Sequence, residues 1–505
     1  MSQESDTVRS LIEQLNSGID ASTDRIGIVL AAGHGKRIRS EISKMLHEIW
    51  GKPSAQRVAL AAQDGLANRN QVVVVGIKGA DVVRSTGHAE GRVFAYQENP
   101  VLGLPGGTGD AVRVALEAFD PSDHERHVYI FPGDMGLLSG EVVRGFRQIY
   151  EGSDADMMML TGRYSGSAES NYYGRILRVP EHDVNGAASG DDRDRVIEIR
   201  QHFDILDQDP NTPYEVEFNG KTYAFERQEL IETREIDTLT FAFKENALRE
   251  HIANLTTDNA QGELQITDLV HLFNEGGLVV RATMAEKEED ILAFNVKSVW
   301  RQMESIARAR VYEKLRDTIT IVDEEDFYIA DEVVDHILEL DETQGPLDIV
   351  IGKGAHVGSH VRLNLRVHIG DRSKLTGNIE LGEDVQIGVG VQLSTYPNQT
   401  LRLDDAVQVL SRNILKGNLA VGKGSRIESG VIMTGSDDFP LRVGKGVTVK
   451  GTSYIYGCSI DDGLYIEHSV LKCQHVAART RDDGSIQPIR YVQPDPEGLD
   501  SIQEL

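Results

Sequence analysis

Between Val29 and Lys44 the chain reads VLAAGHGKRIRSEISK, a run whose residue types suit a phosphate chain. The apolar stretch Ile26–Leu30 predicts a short buried strand, ending in Ala31-Ala32-Gly33. Gly33 and Gly35 leave backbone N–H groups bare of side chains, so an anion could lie against the turn. Lys36, Arg37, Arg39, Lys44 and Lys52 follow, opposed only by Glu41 and Glu48. The whole chain carries a formal charge of -28, from 80 acidic and 52 basic residues. A local excess of cations in so acidic a protein points to a bound polyanion. Two familiar phosphate loops do not fit. A dinucleotide fingerprint needs a third glycine where Ile38 stands, and a Walker loop closes on Gly-Lys-Ser/Thr, which is missing.

The longer pattern is more specific. Leu30-Ala31-Ala32-Gly33-His34-Gly35-Lys36-Arg37-Ile38 is followed by Ser43-Lys44, Leu46-His47 and Gly51-Lys52. It resembles the L-x-x-G-x-G-T-R-M, P-K, L-H and G-K series of the sugar-nucleotide pyrophosphorylases. The likeness is strongest to the uridyltransferase half of the bacterial bifunctional N-acetylglucosamine-1-phosphate uridyltransferase/acetyltransferase family. Lys36, Ile38 and Ser43 replace threonine, methionine and proline, while Arg37 and Lys44 stand.

That resemblance implies roles for particular residues. Leu30, Ala31, Ala32, Gly33, Gly35 and Lys36 would line the nucleotide, with Arg37 and Lys44 catalytic. Asp134, just past Pro132-Gly133, corresponds to the metal aspartate, and Asn295 in Ala293-Phe294-Asn295 to a second magnesium ligand that also faces the sugar. Read without the resemblance, an aspartate after Pro-Gly is more often a turn residue or helix cap, and Asn295 reads as an N-cap. Gln97 and Gly107-Thr108-Gly109 resemble the uracil-reading segment Q-x-x-x-L-G-T-G-H-A, with five extra residues and Asp110 in place of histidine. The Thr108 hydroxyl also reads as a helix cap. For the sugar, Gly174 matches G-Y-G-R-I and Glu198 matches V-E-H-K. Glu235-Ile236-Asp237-Thr238-Leu239 stands where the family has E-I-N-T-G, at the expected distance before Asn259-Ala260-Gln261-Gly262-Glu263. Phe218-Asn219-Gly220 is a competing alignment, at too great a distance. A carboxylate only accepts, where an amide also donates, so Asp237 bears on which sugar fits.

These residues need a scaffold. At 505 residues the chain is long enough for two or more cores. Residues 1–24 read as an added amphipathic helix (Val8, Leu11, Ile12, Leu15) that Gly18 ends. From 25 to about 161, apolar strands alternate with amphipathic helices. Residues 162–292 read as a second, more irregular lobe, with a polar insertion at 181–194 and a polar stretch near 204–232. With the resemblance, 25–296 are expected to form an α/β, Rossmann-like (GT-A-like) nucleotidyltransferase domain. Strands are expected at Ile26–Leu30, Val72–Val75, Val93–Tyr96, Val128–Phe131 and Met157–Leu160, with helices over 53–64, 108–119 and 139–150. A linker helix over 297–318 leads to the clearest periodicity in the sequence. Ile351, Val357, Leu363, Ile369, Leu375, Leu381, Ile387 and Leu393 recur every sixth residue. Neither helix nor simple strand has that period; it marks a parallel β-helix of hexapeptide repeats over 319–475. Interruptions are expected at 394–418 and 434–440, and a tail over 476–505. The resemblance adds a left-handed coil and a homotrimer.

Two cysteines without metal-like spacing, a polar start and no membrane-length apolar run predict a cytoplasmic protein. The acidity argues against nucleic acid as a partner. The functional expectation is a magnesium-dependent transfer of UMP from UTP to a hexosamine-1-phosphate, giving a UDP-sugar and pyrophosphate. Alternatives are a thymidylyltransferase, another sugar-1-phosphate specificity, or a catalytically lapsed oligomeric scaffold or regulator. The family's acetyltransferase histidine segment and N-Y-D-G are missing from the sequence, so no acetyl transfer is expected.

Overall fold

Ile26–Leu30 lies within the strand Arg25–Ala31, whose residues from Ile26 onward are all buried. Burial on both faces requires cover on both. Ile26, Ile28 and Leu30 pack with Val112 and Phe241 on one side. Val29 and Ala31 pack with Val58, Ala62 and Phe131 on the other. These contacts come from a computed structural model that describes residues 3–33, 35–76, 78–100 and 102–494, apart from the side chains of Gln3, Glu4 and Lys36. The chain divides into two units, Met1–Glu304 and Ser305–Leu505.

In the first unit the sheet runs in the order Val280–Met284, Met157–Arg163, Glu235–Lys244, His127–Pro132, Arg25–Ala31, Gln71–Val75, Arg92–Tyr96. The last four strands are mutually parallel, and Glu235–Lys244 is antiparallel to both its neighbours. Helices Ser54–Leu66, Thr108–Leu116 and Gly140–Glu151 fall close to the expected positions. Ligands of such sheets gather at the carboxyl ends of the strands. The Gly33–Gly35 turn, Gln97 and Asp134 all come directly after such ends.

The N-terminal extension forms the helix Gln3–Leu15 with Val8 fully buried. The sequence assigns it no role, but the residues just past the helix have one. Ser17 N–H donates to the Arg92 carbonyl at 2.8 Å, and Phe94 N–H donates to Asn16 Oδ1 at 2.7 Å. Arg92–Tyr96 ends the sheet order, so the extension covers an edge that would otherwise invite other chains. The polar stretch near 204–232 holds a hairpin, Tyr214–Phe218 with Lys221–Phe225, over a small core including Leu177, Ile205 and Tyr223. Asn219 and Gly220 (φ +49° and +73°) are its two-residue turn, the usual place for Asn-Gly.

The second unit is a left-handed parallel β-helix. Ile351 pairs in turn with Ile369, Ile387, Val409, Ile427, Val449 and Ile466, all buried, so each coil stacks its aliphatic residue on the last. The expected break at 394–418 is much shorter. Residues 395–400 loop out, and Leu401–Leu403, Gln408–Val409 and Ile414–Gly417 are back on the coil. Leu403, Val409 and Leu415 keep the six-residue spacing in a shifted phase, which hid them. The second break, between Gly435 and Leu441, is as expected. A helix not anticipated, Asp331–Gln344, interrupts the first coil and buries Val333, Val334, Ile337 and Leu340.

Candidate nucleotide site

Gly35 adopts the left-handed conformation (φ +67°), and a Cβ there would lie 2.9 Å from both Cβ and Cδ of Lys44. The glycine turn therefore rests directly on the lysine stem, with a Cβ at Gly33 3.6 Å from its Cε. Only glycine fits both the space and the backbone at position 35. Lys44 itself is 9% exposed. Its ammonium lies 2.5 Å from Asp134 Oδ2 and 3.1 Å from Asn295 Oδ1. Three groups far apart in sequence thus converge on one point beneath the turn.

Each partner is held from behind. Gly133 N–H donates to the Leu30 carbonyl at 2.9 Å, and Ser54 Oγ donates to the Gly133 carbonyl at 2.9 Å, fixing the residue before Asp134. A Cβ at 133 would meet the Leu30 carbonyl at 2.9 Å and Met45 Sδ at 3.0 Å. Asn295 is placed by the later part of the motif. His47 packs its ring against Phe294 (6.1 Å) and edge-on against Trp300 (5.0 Å). Trp300 Nε1 donates to the Glu48 carbonyl at 2.7 Å, and Trp50 N–H to Glu304 Oε1 at 2.8 Å. The Leu46-His47 and Gly51-Lys52 segment is thus a clamp that brings residues 294–304 to Lys44.

Magnesium takes hard oxygen ligands and retains waters. A carboxylate and an amide oxygen already share one cation here, the lysine ammonium, so the donor set fits a divalent ion once that ammonium moves aside. Among the described residues there is no cluster of three or more His, Cys, Asp and Glu side chains suited to a metal. Water and substrate would supply the remaining ligands. Arg37 sits exposed on the single turn Lys36–Ile38, anchored by buried Ile38. Its charge reaches His202, which burial first, then Arg175 and Arg37, hold below the ordinary histidine range. His34 and the Lys36 side chain lie outside the described residues. Leu30 and Ala31 point their side chains into the two cores, leaving only backbone toward a ligand.

The segment after the edge strand is built around a residue the sequence marked only as a departure. Asp110 is fully buried and accepts from Gln97 Nε2 (3.0 Å), Asn99 Nδ2 (2.7 Å) and Arg113 Nη2 (2.6 Å). Gly107 precedes helix Thr108–Leu116 with φ +107°, and a Cβ there would meet the Leu264 carbonyl at 2.3 Å. Thr108 Oγ1 accepts from Ile266 N–H at 3.1 Å instead of capping its own helix. Leu264 N–H donates to the Gly106 carbonyl, and Gly109 N–H to the Leu264 carbonyl, both at 2.8 Å. The Asn259–Glu263 loop thereby leads straight into a two-bond lock on the Gly107 turn.

Gly174 and Asp237 come together. Asp237 N–H donates to the Gly174 carbonyl at 2.9 Å, and a Cβ at 174 would lie 3.4 Å from Asp237 Cβ. The strand bulges between Asp237 and Thr240, with Leu239 at φ +58°. Leucine at this position keeps the conformation natural to the glycine of E-I-N-T-G. Glu198 stands apart: Tyr214 Oη donates to both its oxygens (2.7 and 2.8 Å), and its neighbour Ile199, not Glu198, meets Gly174. Tyr214, from the inserted hairpin, could not be found from the family pattern.

Burial pushes the Asp237 carboxyl up from 3.8 to about 7, against a 2.8 Å bond from Leu239 N–H that favours the ionised form. Protonated, it offers one donor and one acceptor, as the family's asparagine does. Because the folded state favours the protonated form, stability is full below the ordinary value and falls as pH climbs through about 7. Asp237→Asn does not titrate. Relative to the wild type, its stability should therefore gain between about pH 5 and pH 8 by about 2.7 kcal/mol, two pKa steps from pH 5 to about 7 at 1.36 kcal/mol each, read as a rise in relative melting temperature. A pH-independent difference would contradict this.

Residues 27–260 match the MobA-like NTP transferase domain family. The bifunctional protein GlmU of Oceanobacillus iheyensis is 28% identical over 312 residues, which are 61% of this chain and 58% of that protein. That of Exiguobacterium sp. is 27% identical over 375 residues, 72% of each. The chain thus spans less than two thirds of the first relative's length and somewhat more of the second's. A solved Bacillus anthracis structure, described as a glucose-1-phosphate thymidylyltransferase, aligns with 56% of this chain and 95% of its own at 16% identity and a TM-score of 0.39. Lys44, Asp134, Gln97, Gly174 and Asp237 all lie inside the matched domain. The chain is thus similar to the bifunctional GlmU proteins over 61–72% of its length, and residues 27–260, ahead of the β-helix, match the MobA-like NTP transferase domain.

Proposed function

We propose that the first unit transfers UMP from UTP to a hexosamine-1-phosphate, N-acetylglucosamine-1-phosphate or a close relative, releasing pyrophosphate. The single observation that carries this reading is the meeting of Lys44, Asp134 and Asn295 beneath a side-chain-poor turn. Nucleotidyl transfer asks for alignment and charge stabilisation, with little covalent work for the protein. The sugar phosphate oxygen is already ionised near neutral pH, so no general base is needed. The triphosphate lies along Gly33–Gly35, and Gln97 faces the base. Lys44 leaves Asp134 and donates to the phosphate oxygens, where its ammonium stabilises the charge that builds at the α-phosphorus. Arg37, exposed at the mouth of the turn, adds a second cation. Magnesium held by Asp134 and Asn295 would neutralise the phosphates as a Lewis acid. Gly174 and Asp237 receive the sugar, and Glu198 acts through Tyr214 at its border.

The β-helix would assemble a homotrimer in the cytoplasm; Ile414 and Ile432, paired on one sheet, are outward and 38% and 40% exposed. Acetyl transfer is not part of the proposal. The test is pyrophosphate release with UTP or dTTP and a panel of sugar-1-phosphates. Turnover restricted to UTP and a hexosamine-1-phosphate supports it. Preference for dTTP would make the enzyme a thymidylyltransferase, and no turnover with any pair would leave a lapsed scaffold.

A further inference from the structure

Asp110 decides which face of its amide Gln97 can show to a base. Gln97 Nε2 donates to the Gly107 carbonyl at 2.9 Å and to Asp110 Oδ2 at 3.0 Å. Both partners only accept: a peptide carbonyl has no proton, and a carboxylate holding a guanidinium is an acceptor. Turning the amide over would set its oxygen against two oxygens. An amide has two N–H bonds, and both are used. The remaining group is Oε1, to which no described residue donates. Gln97 is also well placed for a nucleoside. Its N–H donates to the Val75 carbonyl at 2.8 Å, and the register Ala31, Val75, Tyr96 sets it level with Ala32. Two strand spacings, roughly 10 Å, separate it from the glycine turn, a span that a nucleotide bridges from base to phosphate.

We propose that Asp110, by fixing Gln97 with its carbonyl outward, makes this site select bases that carry a ring N3–H, uracil and thymine, over cytosine, whose N3 is an acceptor. This rests on the nucleotide site described above. Asp110 does not touch the base; it is a positioning residue. It stands where the resembling segment has histidine, and its second oxygen is held by Asn99 and Arg113, so the arrangement is braced on both sides.

The test is calorimetric binding of UTP, CTP and 3-methyl-UTP, the last lacking the N3 proton, with magnesium present. The wild type should bind UTP at least ~10-fold tighter than either analogue. Asp110→Asn, whose amide nitrogen turned toward Gln97 opposes Nε2 and leaves the Gly107 carbonyl alone to hold it, should narrow the UTP/CTP ratio at least ~3-fold, with melting temperature recorded alongside. Asp110→Glu should keep the preference. Equal wild-type binding of UTP and 3-methyl-UTP would overturn the proposal, as would an unchanged UTP/CTP ratio in a folded Asp110→Asn. The wild-type arm needs no variant to fold. Selective binding without pyrophosphate release would sink the transfer reading and leave this one standing.

Discussion

Alanine at Lys44 will reduce pyrophosphate release by ~10³-fold or more, the scale of losing one preorganised charge donor at a reacting centre. Among the described residues the ammonium is the only group seen on both Asp134 and Asn295, and the Gly35 turn lies on its stem. Arginine will not substitute: the close approach of Gly35 and Gly33 to the lysine methylenes leaves no room for a planar guanidinium. Magnesium affinity will hold or rise in Lys44→Ala, because the competing cation between the two oxygen ligands is gone. Turnover and metal binding should therefore move in opposite or independent directions. A variant that keeps turnover within threefold of wild type would remove Lys44 from the chemistry.

The largest expected effect on stability lies elsewhere. Arg126 donates to Glu245 through Nε (2.5 Å) and Nη2 (2.9 Å), and the two side chains are 2% and 1% exposed. Arg249 donates to the same carboxylate at 2.6 Å, and both guanidinium groups lie over the Phe119 ring. Taking away the carboxylate leaves the buried Arg126 guanidinium uncompensated and facing that of Arg249, a like charge that is only partly exposed. Glu245→Ala should cost about 3–5 kcal/mol, read as a lowered urea midpoint for the first unit. Arg126→Met combined with Glu245→Leu should cost less than Glu245→Ala alone, since it removes the charge from both sides. A midpoint unchanged in Glu245→Ala would show that the pair is dispensable.

How much of this was legible in the sequence varies with the range of the interaction. The hexapeptide coil was plain because each repeat reports the same local environment, and only a phase shift after residue 395 concealed its middle coils. The strand and helix alternation was equally plain, since buried parallel strands are apolar throughout. The helix Asp331–Gln344 was not seen: Val333, Val334, Ile337 and Leu340 have helical spacing but stand where the coil's aliphatic period was expected to begin. In the site, the motif named Lys44, Asp134 and Asn295, and the fold brings them together. Leu239 takes a left-handed backbone (φ +58°) that its residue type does not announce. Asp110 and Tyr214 could not be assigned, because their meaning lies in partners 13 and 16 residues away in sequence, across turns of unknown shape.

In the proposed reaction, the glycine turn and the Asp134–Asn295 pair form one magnesium–nucleotide site. The most direct measurement is calorimetric titration of UTP into the wild type and Asp134→Asn, each with magnesium and with EDTA. Wild-type affinity should be ~10-fold or more higher with magnesium, within the usual range of coupling between two bound ligands, and Asp134→Asn should lose most of that gain. UTP binding that is indifferent to magnesium, or equally magnesium-dependent in Asp134→Asn, would contradict the account.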